Sequence, residues 1–421
     1  MRRFTWLAWV SVCALAGCAS LLSLDELSVE SSGAQAGAAG AKAGGGGGGA
    51  GAAGAAGTAG SGAGGLGGAG GAGASGGGGV SGGGGVSGMS GAAGAAGQAR
   101  ALPPERPTGN PVPSGGKRLV FAVRSFWLGL SDPETHEPDP DAWRKYGFDF
   151  DGKCTTLDQS KTDTSGVCQR AKDSPPQALV DGDGCRDNNF GGIIVSAVAL
   201  GQQDMEKKLN EGLEKGGATM LLVIDDVDAG DADDPYAPGK LYVVASTSTP
   251  PKWDGSDLRE VDSVTVIGGD LAKPKSDFKR GYIKNGTWVS GEYNDTPSSL
   301  IFPVSGDPVV LEATTLVLTL ELDAARQSVL RSDLGAVLNL EKFLKSVSPS
   351  LAEQAGCGNY TLYINILSKT PDLFDTRPGF SDPTQPCNAL SLGGKLDWLP
   401  VKEPVKVVTL PVEPPPCDGG P

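Results

Sequence analysis

One stretch of the chain decides its fold class: Thr315-Leu316-Val317-Leu318-Thr319-Leu320-Glu321-Leu322. Every second residue is a leucine, so in an extended strand the leucines would all lie on one face. The residues between them are mostly polar. A strand with one apolar face and one more polar face is typical of a half-buried antiparallel sheet. The stretch therefore predicts a mainly β protein.

Other segments share the β-branched and aromatic residues that favour strands. They are Arg118–Leu130, Thr219–Ile224, Leu241–Thr247, Ser263–Ile267, Gly281–Ser290, Tyr360–Leu367 and Val405–Leu410. Within one of them, Asn285-Gly286 supplies the positive φ angles that a two-residue hairpin turn requires. Many short strands with few helices predict an antiparallel β-sandwich or a jelly-roll-like region.

Two segments have the apolar spacing of short amphipathic helices. Met205, Leu209 and Leu213 recur at every fourth position before Gly216-Gly217, which is a helix stop signal. A second stripe contains Ala336, Leu340, Phe343 and Val347, and Pro349 follows it. We interpret both stripes as core packing.

The first residues predict export and a lipid anchor. Arg2 and Arg3 precede an apolar run whose length suits a signal peptide and is short for a membrane span. The run ends in Leu15-Ala16-Gly17-Cys18, which resembles the lipobox of bacterial lipoproteins. This implies a signal peptide over residues 1–17 and a mature N-terminus, residues 18–32, acylated on Cys18. Ala19 instead of aspartate favours the outer membrane or cell surface over other envelope locations.

A low-complexity tether follows. Residues 33–98 are almost entirely Gly and Ala, which offer too little apolar side chain to offset the entropy of ordering. A Pro-rich stretch continues to residue 116. We therefore predict a disordered tether over residues 33–116 and a β-rich globular region over residues 117–421, formed by one large or two small domains.

The charge of the chain excludes one class of partner. The formal net charge is −14 at pH 7. Binding of nucleic acid needs clustered Lys and Arg to contact phosphates, so no nucleic-acid partner is expected. The predicted contact with a membrane runs through the lipid on Cys18. A glycan or an envelope protein is the ligand class left open.

Six cysteines remain after the leader residue Cys13 and the lipidated Cys18 are set aside. An even number in an exported protein predicts disulfides, and the single His and lack of Cys-x-x-Cys pairs argue against zinc. Of fifteen possible pairings, sequence spacing favours Cys154–Cys168 and Cys357–Cys387, and Cys185–Cys417 then follows by elimination.

Four motifs of the globular region resemble a known group of proteins. They are the stretches Tyr146–Cys154, Asp181–Gly191, Gly281–Thr287 and Pro386–Leu392. Together with the lipobox and the tether, they are similar to myxobacterial-type lipoproteins to which no activity is assigned. The resemblance covers most of residues 117–400 and implies an envelope location and one family architecture.

The strongest candidate for a metal site is Asp181-x-Asp183-x-x-x-Asp187. Alternating Asp and Gly can fold a short loop so that carboxylates converge, and Ca²⁺ prefers oxygen ligands. Asp149 and Asp151 repeat the pattern nearby, and the cysteine-bearing loop from Asp151 to Asn189 could bring the two segments together. The alternative is that these residues only form turns. Calcium is the one cofactor that the sequence suggests.

Evidence for catalysis is mostly negative. His136 is the only histidine and lies in a polar loop without a nucleophile motif beside it. A glycosidase with paired carboxylates needs neither feature. The leading hypothesis is thus a membrane-anchored, non-catalytic ligand-binding or adhesive module. A secreted glycan-acting hydrolase and a structural envelope component are the alternatives.

Overall fold

The computed structural model describes residues 99–195, 205–228, 230, 232–292, 298–304, 307–355, 364–377 and 379–409. All of them belong to one compact unit. The predicted signal peptide, Cys18 and residues 33–98 of the tether lie outside the described residues. Among the described residues, no helix is both long and apolar enough to cross a lipid bilayer.

The unit is mainly β, which confirms the predicted class. The strands are β1 (Lys117–Trp127), β2 (Thr219–Val227), β3 (Gly239–Val244), β4 (Val261–Asp262), β5 (Val266–Ile267), β6 (Asp270–Pro274), β7 (Ser276–Phe278), β8 (Tyr282–Lys284), β9 (Thr287–Val289), β10 (Ser298–Val304), β11 (Asp307–Leu322), β12 (Val329–Asn339), β13 (Ala389–Pro400) and β14 (Val407–Val408). The α-helices are α1 (Leu157–Lys161), α2 (Met205–Glu214) and α3 (Leu340–Ala355).

Twelve strands form one hydrogen-bonded sheet, and β5 and β6 form a separate pair. The main order is β14-β4-β3-β2-β1-β13-β12-β11-β9-β8, with β10 beside β11 and β7 beside β3. The sheet is antiparallel except for the parallel pair β14–β4. Residues from both ends of the globular region thus meet at its centre, where β1 pairs with β13.

Strand β11 shows how the sheet is buried. Leu316, Leu318 and Leu320 lie together in the main core, as their alternation predicts. Val317 points to the other face, where it packs with Phe148 and aromatic residues of the connecting loops. Both faces are therefore covered here, whereas the sequence predicted one exposed face. The cover is the cysteine-bearing loop that contains the candidate metal ligands.

The helices and two strands differ in part from the sequence predictions. Helix α2 is confirmed, whereas α3 begins only at Leu340 and continues past Pro349, because Ala336 belongs to β12. The strand predicted over Ser263–Ile267 is mostly a 3-10 helix. The strand predicted over Tyr360–Leu367 is wrong for residues 364–367, which are helical. β-branched composition alone did not distinguish these short segments from helices.

Two disulfides fasten the cysteine-bearing loop, and their pairing corrects the prediction. Cys154 bonds to Cys185, and Cys168 bonds to Cys387. The predicted pair Cys154–Cys168 is therefore wrong, and so are the pairs proposed for Cys185 and Cys387. The physical reason is a long-range contact: the backbone amide of Cys387 donates to the Gln169 carbonyl at 3.0 Å, which brings the loop beside the start of β13. Cys357 and Cys417 lie outside the described residues.

The folded region also begins earlier than predicted. The backbone amide of Ala101 donates to Gly184 O, and the Ala101 carbonyl accepts from the amide of Asp149, both at 2.9 Å. The Tyr282 hydroxyl donates to Pro104 O. The tether was predicted to reach residue 116, yet these contacts attach residues 101–104 to the globular unit. The prediction assigned these residues to the tether because of their Pro-rich composition, which does not prevent contacts with the globular unit.

Candidate functional site

Two acidic segments of the cysteine-bearing loop meet beneath the sheet. Phe148 and Asp187 form an antiparallel bridge, in which the Asp187 amide donates to Phe148 O at 2.9 Å. The disulfide Cys154–Cys185 holds the same two segments together. This pairing brings the predicted Asp-x-Asp-Gly motifs into one place.

Three predicted carboxylates converge there. Ligand oxygens of Asp149, Asp151 and Asp187 all lie within 4.8 Å of one another. The three residues are 1%, 5% and 2% exposed. We call this group the carboxylate cluster. Carboxylates that are both buried and close together are costly unless a positive group or protons compensate them.

Hydrogen bonds fix the cluster but do not satisfy it. Asp187 Oδ2 accepts from the backbone amides of Phe150 at 2.6 Å and Asp151 at 3.3 Å. Asp149 pairs with the Arg100 guanidinium. Asp151 Oδ1 accepts from the amide of Lys153 at 2.7 Å, whereas the buried Asp151 Oδ2 has no hydrogen-bond partner among the described residues.

The electrostatic consequence appears in the pKa values. Burial raises the pKa of Asp151 to about 7, and the neighbouring charge of Asp149 adds to the effect. Burial, together with the charges of Asp151 and Asp181, raises the pKa of Asp187 well above its ordinary value. The cluster therefore stabilises bound protons, and a cation of higher charge would compete for the same oxygens.

Two further carboxylates lie at the edge of the cluster. Asp181 was predicted, and its Oδ2 accepts from the amide of Thr155 at 2.6 Å. Asp372 was not predicted; it accepts from both the hydroxyl and the amide of Ser391. Burial raises the pKa of Asp372 to about 7. No Asp-Gly motif surrounds Asp372, so only its long-range position reveals it.

Asp183 is the predicted ligand that the structure does not bring to the cluster. Its side chain is exposed. Its backbone amide instead donates to Arg144 O at 2.8 Å, and its carbonyl accepts from Arg186 at 2.5 Å. Asp183 therefore shapes the turn between Asp181 and Asp187, and it is not one of the three carboxylates that the structure brings together.

The cluster fits a hard divalent cation. Oxygen ligands from Asp149, Asp151 and Asp187 suit Ca²⁺, which binds carboxylates and carbonyls in flexible geometries. Asp151 Oδ2, which accepts no hydrogen bond from the described residues, is the oxygen of the cluster that could bind a cation without losing such a bond. The residues present are consistent with calcium, while zinc would favour Cys or His ligands.

His136, the only histidine of the sequence, and Trp288 have structural surroundings. Trp288 is fully buried, and its ring nitrogen donates to Ala237 O at 2.8 Å. The His136 ring stacks on Trp127 with 4.2 Å between ring centroids. These contacts give Trp288 and His136 packing roles.

The fold and the site thus define a disulfide-bonded, mainly β protein with a buried carboxylate cluster. No protein-family model, curated protein or solved structure matches the chain.

Proposed function

We propose that the chain is an exported lipoprotein that displays its β-rich region as a non-catalytic binding module. In this proposal, Cys18 carries the lipid, and Asp149, Asp151 and Asp187 bind a calcium ion that stabilises the module. The observation that carries the cation site is the convergence of three buried carboxylates around an unpartnered oxygen of Asp151.

Burial supports a structural cation more than a catalytic one. Substrate needs access to catalytic carboxylates, but all three side chains of the cluster are nearly inaccessible. The two cavities of about 520 and 230 Å³ that border the sheet are lined by other residues. A cation in the cluster would instead fasten two loop segments to each other, which is the action of calcium in many extracellular modules.

Export is supported by the sequence and is compatible with the fold. The lipobox at Cys18 and the Gly/Ala-rich tether argue for an anchored, exported chain. Disulfides persist in oxidising compartments, and two are present in the described residues. A tether of the predicted length spans about 45 Å as a flexible coil, which would separate the module from the membrane.

The test is thermal unfolding of the oxidised protein carrying Cys18→Ser, which prevents acylation. Melts are compared in calcium and in EDTA. Calcium at about 100 times its Kd would add about 2.7 kcal/mol to the free energy of unfolding, or a rise in Tm on the order of 5 °C. Asp151→Asn should abolish this rise, because it removes one charged ligand and keeps the side-chain shape.

Asp233→Asn is the matched control. Asp233 is also in an acidic loop, but its carboxylate already accepts from the amide of Asn285 at 2.8 Å and pairs with Lys284 at 2.6 Å. This variant should retain the full calcium response. A Tm that is equal in calcium and EDTA would refute the cation site, as would an equal loss in both variants.

One observation favours the hydrolase alternative. Glu321 and Asp333, on adjacent strands β11 and β12, line the same cavity of about 230 Å³. Paired carboxylates on either side of a bound sugar are the requirement for glycoside hydrolysis. Release of new reducing ends from polysaccharides by the wild-type protein, lost in Glu321→Gln, would replace the binding proposal with this one.

A further inference from the structure

The disulfide Cys154–Cys185 links the two halves of the carboxylate cluster. It joins the segment that supplies Asp149 and Asp151 to the segment that supplies Asp187. Cys154 follows Asp151 by three residues along the chain. Cys185 precedes Asp187 by two residues. The bond therefore limits how far apart carboxylates from the two segments can move.

The two disulfides of the described residues differ in their accessibility to solvent. Cys154 is exposed, and so are the two residues before it. Cys168 and Cys387, which form the other bond, are only 5% and 9% exposed. A reductant must reach a sulfur atom to exchange with it, and exposed disulfides are the labile ones in proteins. A soluble dithiol should therefore reduce Cys154–Cys185 before it reduces Cys168–Cys387.

Two features favour separation of the segments once the bond is broken. The deprotonated carboxylates of Asp151 and Asp187 repel each other across the cluster. Cys185 has a φ of 60°, a left-handed backbone conformation that is costly for a residue with a side chain. Hydrogen bonds such as that from the Asp187 amide to Phe148 O, at 2.9 Å, oppose the separation. Without the covalent link, the cluster would bind a cation less tightly, because its ligands would be less well preorganised.

We propose that Cys154–Cys185 is a redox-sensitive bond on which a dithiol reductant acts, and that its reduction weakens binding of the cation. This inference rests on the cation site proposed above. A thiolate of the reductant attacks Cys154 Sγ, the S–S bond breaks, and Cys185 leaves as a thiolate. The second thiolate of the reductant then attacks the reductant sulfur of the mixed disulfide and releases Cys154. The protein gains two electrons and two protons, and the dithiol becomes a disulfide.

Cation binding and reduction should oppose each other equally. If reduction weakens calcium binding by a given factor, calcium must make reduction harder by the same factor, because the two equilibria form one thermodynamic cycle. A tenfold difference in calcium affinity corresponds to about 30 mV in the reduction potential of this two-electron couple. Calcium should therefore protect Cys154–Cys185 without contacting either sulfur atom.

The experiment treats the oxidised Cys18→Ser protein with mixtures of reduced and oxidised dithiothreitol, in saturating calcium and in EDTA. Free thiols are alkylated, and peptide mass spectrometry measures the reduced fraction of each disulfide. In EDTA we expect Cys154–Cys185 to be reduced at least tenfold faster than Cys168–Cys387. At equilibrium, calcium should raise the ratio of reduced to oxidised dithiothreitol that half-reduces Cys154–Cys185 at least tenfold, which is a shift of about 30 mV.

The double variant Cys154→Ser/Cys185→Ser measures the same coupling without a reductant. Calcium titration by calorimetry should give a Kd at least tenfold higher than in the oxidised Cys18→Ser protein. Asp151→Asn should abolish the effect of calcium on reduction, because it removes a ligand of the cation. Asp233→Asn, the control outside the cluster, should keep the full effect.

The outcomes distinguish the redox coupling from the cation site. Reduction of Cys168–Cys387 first, or of both bonds at one rate, would overturn the assignment of Cys154–Cys185 as the reactive bond. Equal calcium affinity in the double variant and in the oxidised Cys18→Ser protein would overturn the coupling and leave the cation site in place. If the oxidised Cys18→Ser protein bound no calcium at all, the cation site would be refuted and the coupling with it.

Discussion

Two acidic segments of the same chain differ in how their carboxylates are partnered. The carboxylate cluster of Asp149, Asp151 and Asp187 is buried, and Asp151 Oδ2 has no hydrogen-bond partner in the part of the chain that the structure describes. The second segment is the acidic loop from Asp225 to Asp234, of which residues 229 and 231 lie outside the described part. Each carboxylate of this loop that the structure describes has a partner. Those partners are Arg118 and Lys240 for Asp225, backbone amides for Asp226 and Asp234, Ser114 for Asp228, and Lys284 with the Asn285 amide for Asp233.

The comparison shows that acidity alone does not leave a carboxylate buried and without a partner. The Asn285 amide and the Lys284 ammonium lower the pKa of Asp233. Burial raises the pKa of Asp151. An added cation stabilises a carboxylate little when hydrogen bonds already satisfy its oxygens. It stabilises a buried carboxylate without such partners much more. The four predictions below test this distinction.

The largest effect should follow removal of the Cys168–Cys387 disulfide. The bond spans 219 residues and holds the loop of the carboxylate cluster against β13. Replacing both cysteines by alanine should lower the free energy of unfolding by about 2–5 kcal/mol. Hydrogen exchange should accelerate in residues 147–190 and remain slow in residues 219–227. Disulfide mapping that joined Cys154 to Cys168 would contradict the structure itself.

The pH dependence of stability should be the next largest effect. The pKa of Asp151 and of Asp372 is about 7 in the folded state, against an ordinary value of 3.8. Between these values the native state binds more protons than the unfolded chain, so stability is greatest at low pH and falls as the pH rises. In EDTA the free energy of unfolding should decrease by about 2–4 kcal/mol from pH 4 to pH 7.5.

Calcium provides the control for this measurement. A bound cation favours the deprotonated carboxylates, so saturating calcium should reduce or reverse the decrease. Denaturant unfolding at each pH measures both series. If the free energy of unfolding instead rose with pH in EDTA over the same range, burial would not raise the pKa of Asp151 and Asp372 as described.

Asp187→Asn should have a smaller effect on the free energy of unfolding, and the sign of this effect should differ between EDTA and calcium. At pH 8 in EDTA, the variant should be about 1–3 kcal/mol more stable than the wild-type protein, because a buried charge is removed. In saturating calcium it should be less stable, because a charged ligand is lost. Urea unfolding in the two buffers measures both differences. A difference of the same sign in both would contradict a cation at Asp187.

The smallest effect should come from the acidic loop. Asp225→Asn weakens ion pairs with Arg118 and Lys240, whose side chains are partly exposed. We expect a loss of at most about 1 kcal/mol, equal in calcium and EDTA, since partly exposed ion pairs contribute little. A calcium-dependent loss in this variant, measured by the same unfolding curves, would remove the distinction between the two segments.

Local patterns predicted the local features of the fold. The alternation in β11, the helix α2 and the turn at Asn285-Gly286 each follow from neighbouring residues, and both turn residues adopt positive φ. Strand β13 was missed because Gly393 and Gly394 disfavour strands. A side chain at Gly393 would lie 2.8 Å from the backbone of Tyr146 and Gly147, so the position requires glycine for a contact that spacing does not reveal.

The site was predicted in part for the same reason. Asp149, Asp151 and Asp187 carry the Asp-Gly signature of turns that can gather carboxylates, and the structure brings them together. Asp183 has the same signature but is exposed. Asp372 has no Asp-Gly signature and comes close to the carboxylate cluster only through tertiary packing. Cys168 and Cys387 likewise meet each other only through tertiary packing. Long-range proximity was the information that local spacing lacked.

The entry of the chain into the fold has a mechanical consequence. Among the described residues, Arg100 and Ala101 are the first with an ion pair or hydrogen bond to the rest of the unit: Arg100 pairs with Asp149, and Ala101 bonds to Gly184 and Asp149. A force applied through the upstream chain would therefore load these contacts before any strand of the sheet. Tension would displace Arg100 from Asp149 while the twelve-stranded sheet stayed intact. We expect the separation of Arg100 from Asp149, and with it the charge balance at the carboxylate cluster, to vary with a pull on the upstream chain.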